Sequence, residues 1–347
     1  MEVIPRKNIK NLLGKYGVRP SKGLGQNFLV DKRVLGKIIE AANLGKEDTV
    51  LEIGAGIGTL TLELAKKAKK VIAVEKDPKM CEILHETMKG YENVEIIQGD
   101  ILKLEIFNFQ FSIFKQKPNA KNQMPKTKCK IQNTRYKVVA NLPYYITSPV
   151  IRKFLETENP PSEMILMVQK EVAQRICASP VRSSAKRSEG GLARPKLGSE
   201  GGQNRMNILA VSVQFYAEPK IVSYVSKNSF WPSPKVDSAI IQITPLINAD
   251  RKQINADLFF KVVKAGFSQP RKQILNNLSK GLALRSSTAA HSKPSPNGLA
   301  LSSPNGLKLE KEAVQGWLLK NNIQPTQRAE TLSIRDWINL TNTFVAY

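Results

Sequence analysis

The chain has 347 residues, 41% of them hydrophobic, which is enough to bury a sizeable core and too many for a disordered segment. Its 53 Lys and Arg against 29 Asp and Glu give a formal charge of +24, an excess that calls for a polyanionic partner such as nucleic acid or an anionic membrane surface. No apolar run approaches the ~20 residues that span a bilayer. The scattered Cys81, Cys129 and Cys177 offer neither a disulfide framework nor paired metal-ligand spacing.

Residues 1–15 contain Arg6, Lys7 and Lys10 but no continuous apolar segment, so they read as mature protein rather than a signal peptide. With the cysteine usage, this points to a reducing cytoplasm. From residue 48 to 100 the pattern alternates between strand and helix. Strands are expected at 49–53, 71–75 and 94–97, with helical stretches containing Leu60, Leu62 and Leu64 and then Met80 to Leu84 between them. Cys81 and His85 are four apart in the second stretch and read as a packed thiol beside a surface imidazole, not as half a metal site.

Two further strands are expected at 137–140 and 164–168. Strands alternating with helices imply an α/β fold with a mostly parallel sheet, whose strand C-terminal ends share one ligand-binding edge. Three segments interrupt the order. Residues 111–135 are rich in Lys, Asn and Gln; 179–205 repeat Ser-Glu-Gly-Gly; 286–309 repeat Pro-Asn-Gly-Leu. Lacking an apolar period, all three read as surface insertions. Helices are expected between Leu258 and Leu278, around Trp317 and Leu318, and over 333–344, forming a small helical C-terminal domain. The division is expected at 1–247 and 248–347.

Two motifs bear the chemistry. Glu52-Ile53-Gly54-Ala55-Gly56-Ile57-Gly58 makes a glycine-rich turn between strand and helix, where a nucleotide-like ligand can approach the backbone; alone it would suit a dinucleotide equally well. Glu75 ends the next strand, where a carboxylate can accept hydrogen bonds from ribose hydroxyls. Asp100 follows the third strand and can accept from an adenine amino group. Asn141-Leu142-Pro143-Tyr144 follows the fourth, combining an amide, a rigid Pro and an aromatic ring able to hold a planar base and steer its exocyclic amino group.

Together these residues resemble the S-adenosylmethionine-dependent rRNA adenine dimethyltransferases, most nearly their bacterial small-subunit branch. Lys22-Gly23-Leu24-Gly25-Gln26-Asn27-Phe28-Leu29 is similar to the family's N-terminal cofactor signature. The likeness continues through Gln169-Lys170-Glu171-Val172-Ala173, Phe230-Trp231-Pro232-Ser233-Pro234-Lys235-Val236-Asp237-Ser238-Ala239 and Arg328-Ala329-Glu330-Thr331-Leu332-Ser333. It covers nearly the whole chain apart from the insertions.

The resemblance implies a Rossmann-like class I methyltransferase fold with a helical C-terminal rRNA-binding domain. The implied activity is dimethylation of two adjacent adenosines at N6 near the 3′ end of small-subunit rRNA during ribosome biogenesis. Asn27, Leu29, Gly54, Glu75, Asp100 and Asn141 would contact S-adenosylmethionine, and no metal would be needed. Asn141 and the Leu142 carbonyl would accept from the target amino group, with Pro143 holding the segment rigid and Tyr144 and Phe230 stacking the extruded base. The implied partners are small-subunit rRNA and the immature small ribosomal subunit, met by a cytoplasmic monomer that touches no membrane.

Two places depart from the family pattern. Pro270-Arg271-Lys272 stands where the family has Arg-Arg-Lys, losing one charge and one N–H, and Met206-Asn207-Ile208-Leu209-Ala210 replaces Tyr-Gly-x-Leu-Ser. The rival readings are a large-subunit rRNA adenine methyltransferase of the macrolide-resistance type and a non-catalytic nucleic-acid-binding factor on the same fold. Leu142 and the C-terminal match disfavour the first; intact Glu75, Asp100 and Asn141 disfavour the second.

Overall fold

A computed structural model describes residues 6–21, 23–104, 135–180, 205–246, 254–282 and 310–344. All but the margins of the three expected insertions therefore lie outside the described residues. The chain divides into two compact units, Met1–Ala173 with Tyr216–Leu246, and Gln174–Phe215 with Ile247–Tyr347.

The first unit is built on a seven-stranded sheet and a short strand pair. The pair, β1 (Phe28–Leu29) with β8 (Phe230–Trp231), places Leu29 opposite Phe230. In chain order the strands of the sheet are β2 (Thr49–Ile53), β3 (Lys70–Glu75), β4 (Val94–Gln98), β5 (Tyr136–Asn141), β6 (Glu163–Gln169), β7 (Ala217–Val225) and β9 (Ser238–Pro245). Their spatial order is β4-β3-β2-β5-β6-β9-β7. The five strands from β4 to β6 are parallel, while β9 runs antiparallel to both β6 and β7. Val50, Leu51, Val71, Ile72, Val138, Val139 and the run from Met164 to Val168 are all buried, because helices cover both faces of the parallel part.

The antiparallel strands β7 and β9 were not among the expected elements. Residues 239–243, Ala-Ile-Ile-Gln-Ile, are rich in β-branched apolar side chains, and the exposed residues of 217–225 alternate with less exposed ones, the pattern of an edge strand. Only the pairing of β9 to β6, and of β7 to β9, makes those runs part of this sheet. The parallel strands all end at one edge, at Ile53, Glu75, Gln98, Asn141 and Gln169. The sequence order reverses direction between β2 and β5, and the crevice at such a switch point is where ligands sit in open α/β sheets.

Helix ends in this unit follow local chemistry. Asp31 caps the helix Lys32–Ala42 by accepting from the Arg33 N–H, and Asn43 closes it in the left-handed region at φ 40°. Asp77 caps the helix Pro78–Thr87, with Pro78 in its first turn.

The second unit is helical, with helices Ala256–Gly266, Ile274–Gly281, Lys311–Lys320 and Ile334–Asn342 joined by most of Ile208–Tyr216. Trp337 is fully buried there, and a Cβ on Gly266 would lie 2.3 Å from its ring, so glycine is what allows the two helices to meet. The Asn277 amide donates to the Gly266 and Gln269 carbonyls at 2.6 and 3.0 Å, tying the intervening turn.

The expected boundary near 247 differs from this partition by one segment, 174–215. Its grouping has specific causes: Phe215 stacks on Phe259 at 4.1 Å, the Met206 N–H donates to the Glu330 carbonyl, and Arg205 pairs with the Glu330 carboxylate at 2.7 Å. In the changed 206–210 segment, Asn207 caps the following helix by accepting from the Leu209 and Ala210 N–H groups. Pro270, Arg271 and Lys272 are exposed.

Candidate active site

One pocket at the strand edge is lined by every residue expected in the site: Asn27, Leu29, Gly54, Glu75, Asp100 and Asn141, with Leu142, Pro143, Tyr144 and Phe230. The glycine turn follows β2, with Gly54, Gly56 and Gly58 at φ 71°, 58° and 89°, a conformation that side-chain-bearing residues rarely adopt. It abuts the segment after β5. A Cβ on Gly54 would lie 3.5 Å from Pro143 Cδ and 4.0 Å from the Asn141 carbonyl. Neighbouring parallel strands thus turn two motifs far apart in the chain into one wall.

Asn141 is oriented by its own amide: Nδ2 donates to the Asn27 carbonyl at 3.2 Å, and Oδ1 has no protein donor among the described residues. The Leu142 N–H is held by the Met167 carbonyl. Tyr144 begins a short 3-10 turn, and its hydroxyl shares a hydrogen bond of 2.8 Å with Ser238 Oγ at the start of β9. Burial raises the Tyr144 phenol above its ordinary value, so it stays neutral. Phe230 is buried, packed among core residues including Leu29 and Ile240, and its ring also borders the pocket.

The acids were placed by sequence, but their partners were not legible. Glu75 accepts from three backbone N–H groups: Gly56 on one oxygen, Lys76 and Asp77 on the other, each at 2.8 Å. It therefore braces the glycine turn as well as facing the pocket. Burial nevertheless keeps its pKa above the ordinary value, against those three bonds. Asp100 accepts from the Leu102 N–H and pairs with Lys76 at 3.0 Å. Burial disfavours the Asp100 carboxylate, but Lys76 and that N–H outweigh it, and the pKa lies below the usual carboxylate range.

Two groups of the site went unassigned in the sequence. Glu52 is 1% exposed, Oε2 has no hydrogen-bond partner, and burial pushes its carboxyl up to about 8. An acid within the apolar run Leu51-Glu52-Ile53 was the available signal. Gln26 is the other: Nε2 donates to Asp77 Oδ2 and Oε1 accepts from the Ser21 N–H, tying the N-terminal segment to the end of β3. Cys81 is buried with its thiol against the Glu75 carbonyl, and His85 is exposed. Among the described residues, no three His, Cys, Asp or Glu side chains gather to hold a metal ion.

These residues fit an adenosine-bearing cation. The pocket offers a backbone that tolerates close approach and two acids at successive strand ends, Glu75 and Asp100, against one lysine. The sheet and this site define the chain as a Rossmann-like, class I S-adenosylmethionine-dependent methyltransferase fold. The profile of the family described as "Ribosomal RNA adenine dimethylase" matches residues 19–195 and 189–298. The "Ribosomal RNA small subunit methyltransferase A" of Dehalococcoides mccartyi is 39% identical over 334 residues, covering 95% of this chain and 90% of that protein. The chain belongs to the ribosomal RNA adenine dimethylase family.

Among solved structures, a dimethyladenosine transferase from Plasmodium falciparum is similar at TM-score 0.62 and 25% identity, with 90% of this chain and 95% of that one covered. The 23S rRNA methyltransferase ErmE shares the fold at TM-score 0.56 and 22% identity, covering 91% and 98%.

Proposed function

We propose that this chain transfers methyl groups from S-adenosylmethionine to N6 of two adjacent adenosines near the 3′ end of small-subunit rRNA, two to each nitrogen, during ribosome biogenesis. The observation that supports it most is the position of Asn141: its amide is anchored by Asn27, its Oδ1 is open, and the glycine turn lies against the same segment. When bound, S-adenosylmethionine supplies an electrophilic methyl on its sulfonium. Gly54, Leu29 and Asn27 would hold its amino-acid part, Glu75 its ribose and Asp100 its adenine amino group.

The chain's own task is to make a poor nucleophile reactive. The lone pair of adenine N6 is delocalised into the ring. Accepting both of its hydrogens in the first transfer, and the remaining one in the second, at Asn141 Oδ1 and the Leu142 carbonyl favours a pyramidal nitrogen whose lone pair is directed at the methyl carbon. Each transfer releases S-adenosylhomocysteine and one N6 proton to solvent. Positioning and preorganised dipoles then supply the catalysis. Tyr144, steadied by Ser238, and Phe230 hold the base once it leaves its stack.

The substrate reading follows the small-subunit relative; the likeness to ErmE is one of fold and gives the large-subunit alternative no separate support. A non-catalytic role is disfavoured by the gathering of Asn141, Glu75 and Asp100 in one pocket. The further parts of the proposal are a monomer acting in the cytoplasm on the immature small subunit, with 1–247 as the catalytic domain and the helical 248–347 contacting rRNA. Among the described residues, no helix is long and apolar enough to cross a membrane.

The test is single-turnover transfer of labelled methyl groups to small ribosomal subunits lacking the modification. Asn141→Ala removes the side-chain acceptor and leaves the stacking rings, and a contact of this kind is worth about 10²–10³ in rate. Transfer should nearly vanish while RNA binding persists on phosphate contacts. Near-normal turnover by this variant would remove Asn141 as the amino-group anchor.

A further inference from the structure

The sheet edge that holds the pocket continues beyond it. Tyr144 reaches Ser238 at the start of β9, and Ser238 is paired with Val225 at the end of β7. One register position inward, Tyr224 lies opposite Ala239, which in turn pairs with Val168 on β6. Tyr224 is 47% exposed on the outermost strand of this side of the sheet, turned by strand alternation to the face opposite that of the buried Val225 and Ser238. The Lys170 ammonium, at the end of β6, sits 5.2 Å from the ring centroid. Lys227 and Lys235 are exposed on the segment joining β7 to β9, together with Val236. Lys170, Lys227 and Lys235 pair with no carboxylate among the described residues. The nearby Asp237 has its own task, accepting from the Lys227 N–H, while its carbonyl accepts from the Lys170 N–H.

An open aromatic face flanked by cations is the surface that unpaired RNA uses: bases stack on the ring and phosphates take the ammonium groups. Lys170 lies over the ring, and Lys227 and Lys235 stand exposed on the adjoining segment, so this end of the sheet presents an aromatic face with positive charge. With a net charge of +24, the occupant best matched in charge is RNA.

Resting on the proposed function, we infer that Tyr224 and Lys170 form a second RNA subsite, which stacks an unpaired nucleotide flanking the adenosine held at Tyr144. Lys227 and Lys235 take the phosphates that lead to it. The subsite holds the strand in place while the target base is out of its stack, and it touches neither the methyl donor nor the reacting nitrogen. Tyr224 is therefore a positioning residue, and its loss should act on substrate capture rather than on chemistry.

Two measurements on the full chain test this. The first is binding of fluorescently end-labelled decaadenylate, an unpaired RNA, compared across wild type, Tyr224→Leu and Tyr224→Trp. Leucine keeps an apolar side chain and removes the π face; tryptophan keeps a stacking face. The expected result is about 5- to 20-fold weaker binding for Tyr224→Leu and near wild-type binding for Tyr224→Trp. Equal binding by Leu and wild type, or equal losses by Leu and Trp, overturns the inference.

The second is methyl transfer to unmodified small subunits. Tyr224→Leu should raise KM by a similar factor with kcat within about twofold, and Lys170→Met should lower the salt slope of binding by about one. A fall in kcat at unchanged KM overturns it as well. If wild type transfers no methyl group to small subunits, the proposed function fails, whereas the decaadenylate comparison still decides whether Tyr224 stacks RNA.

Discussion

Replacing Glu52 by Gln should make folding stability much less dependent on pH. Glu52 sits between Ala73 and Val139 in the middle of the sheet, 1% exposed, with Oε2 unpaired. Its ordinary value of 4.5 is pushed up to about 8, first by burial; the Thr61 hydroxyl opposes this, and the charge of Glu75 adds to it. The raised value means that the folded chain keeps a proton that the unfolded chain has already lost. The stabilisation this gives is fully present below pH 4.5 and is lost as pH rises through 8.

A gap of about 3.5 pH units corresponds to about 5 kcal/mol at the alkaline limit, with roughly 3 kcal/mol lost by pH 7. The amide introduced by Glu52→Gln does not titrate. It needs hydrogen-bond partners of its own, so the substitution can shift overall stability by about 1–3 kcal/mol at every pH. The decisive quantity is therefore the difference in slope. Urea unfolding of both proteins without ligand, from pH 5 to 9, should show wild type losing about 4 kcal/mol more than the variant across that range. Other titrating groups cancel in the comparison. Parallel curves would mean that Glu52 is ionised in the folded protein and that the burial argument is wrong.

Other outcomes follow from the same geometry. Glu75→Ala should weaken S-adenosylmethionine binding by roughly 1–3 kcal/mol in calorimetry, both through lost ribose contacts and because the Gly56, Lys76 and Asp77 N–H groups lose their acceptor; unchanged affinity would remove Glu75 from the site. Gly58→Ala places a Cβ 2.9 Å from Leu84 Cδ1 at φ 89°, so thermal unfolding should show a destabilisation of about 1–3 kcal/mol. RNA affinity should fall steeply with salt, given the +24 charge, and titrations at several salt concentrations will show whether deleting residues 115–130 lowers that slope.

Much of this protein was decided locally. The buried strands 49–53, 71–75, 137–140 and 164–168 were legible because a parallel strand covered on both faces is mostly apolar, and their sequence runs show it despite Glu52. The glycine turn was legible because positive φ at three alternate positions requires glycine. The acids at the strand ends and the Asn-Leu-Pro-Tyr segment stood out as polar groups at the ends of apolar runs.

The pairing partners depended on the fold. Nothing near Glu75 in sequence says that it bonds the Gly56 N–H, or near Asn141 that Asn27 fixes its amide; those contacts span 19 and 114 residues, the first because β2 and β3 lie side by side, the second because the residue before β1 meets the end of β5. The same holds for β9 and β7, whose strand character is local but whose places, β9 beside β6 and β7 beside β9, are not. It holds also for segment 174–215, which clusters with the C-terminal helices through Phe215 on Phe259 and Arg205 on Glu330. Side-chain type and periodicity report which groups a residue can satisfy and whether it faces a core. Which partner satisfies them is a long-range fact, fixed only when strand order and helix packing bring distant segments within hydrogen-bonding distance.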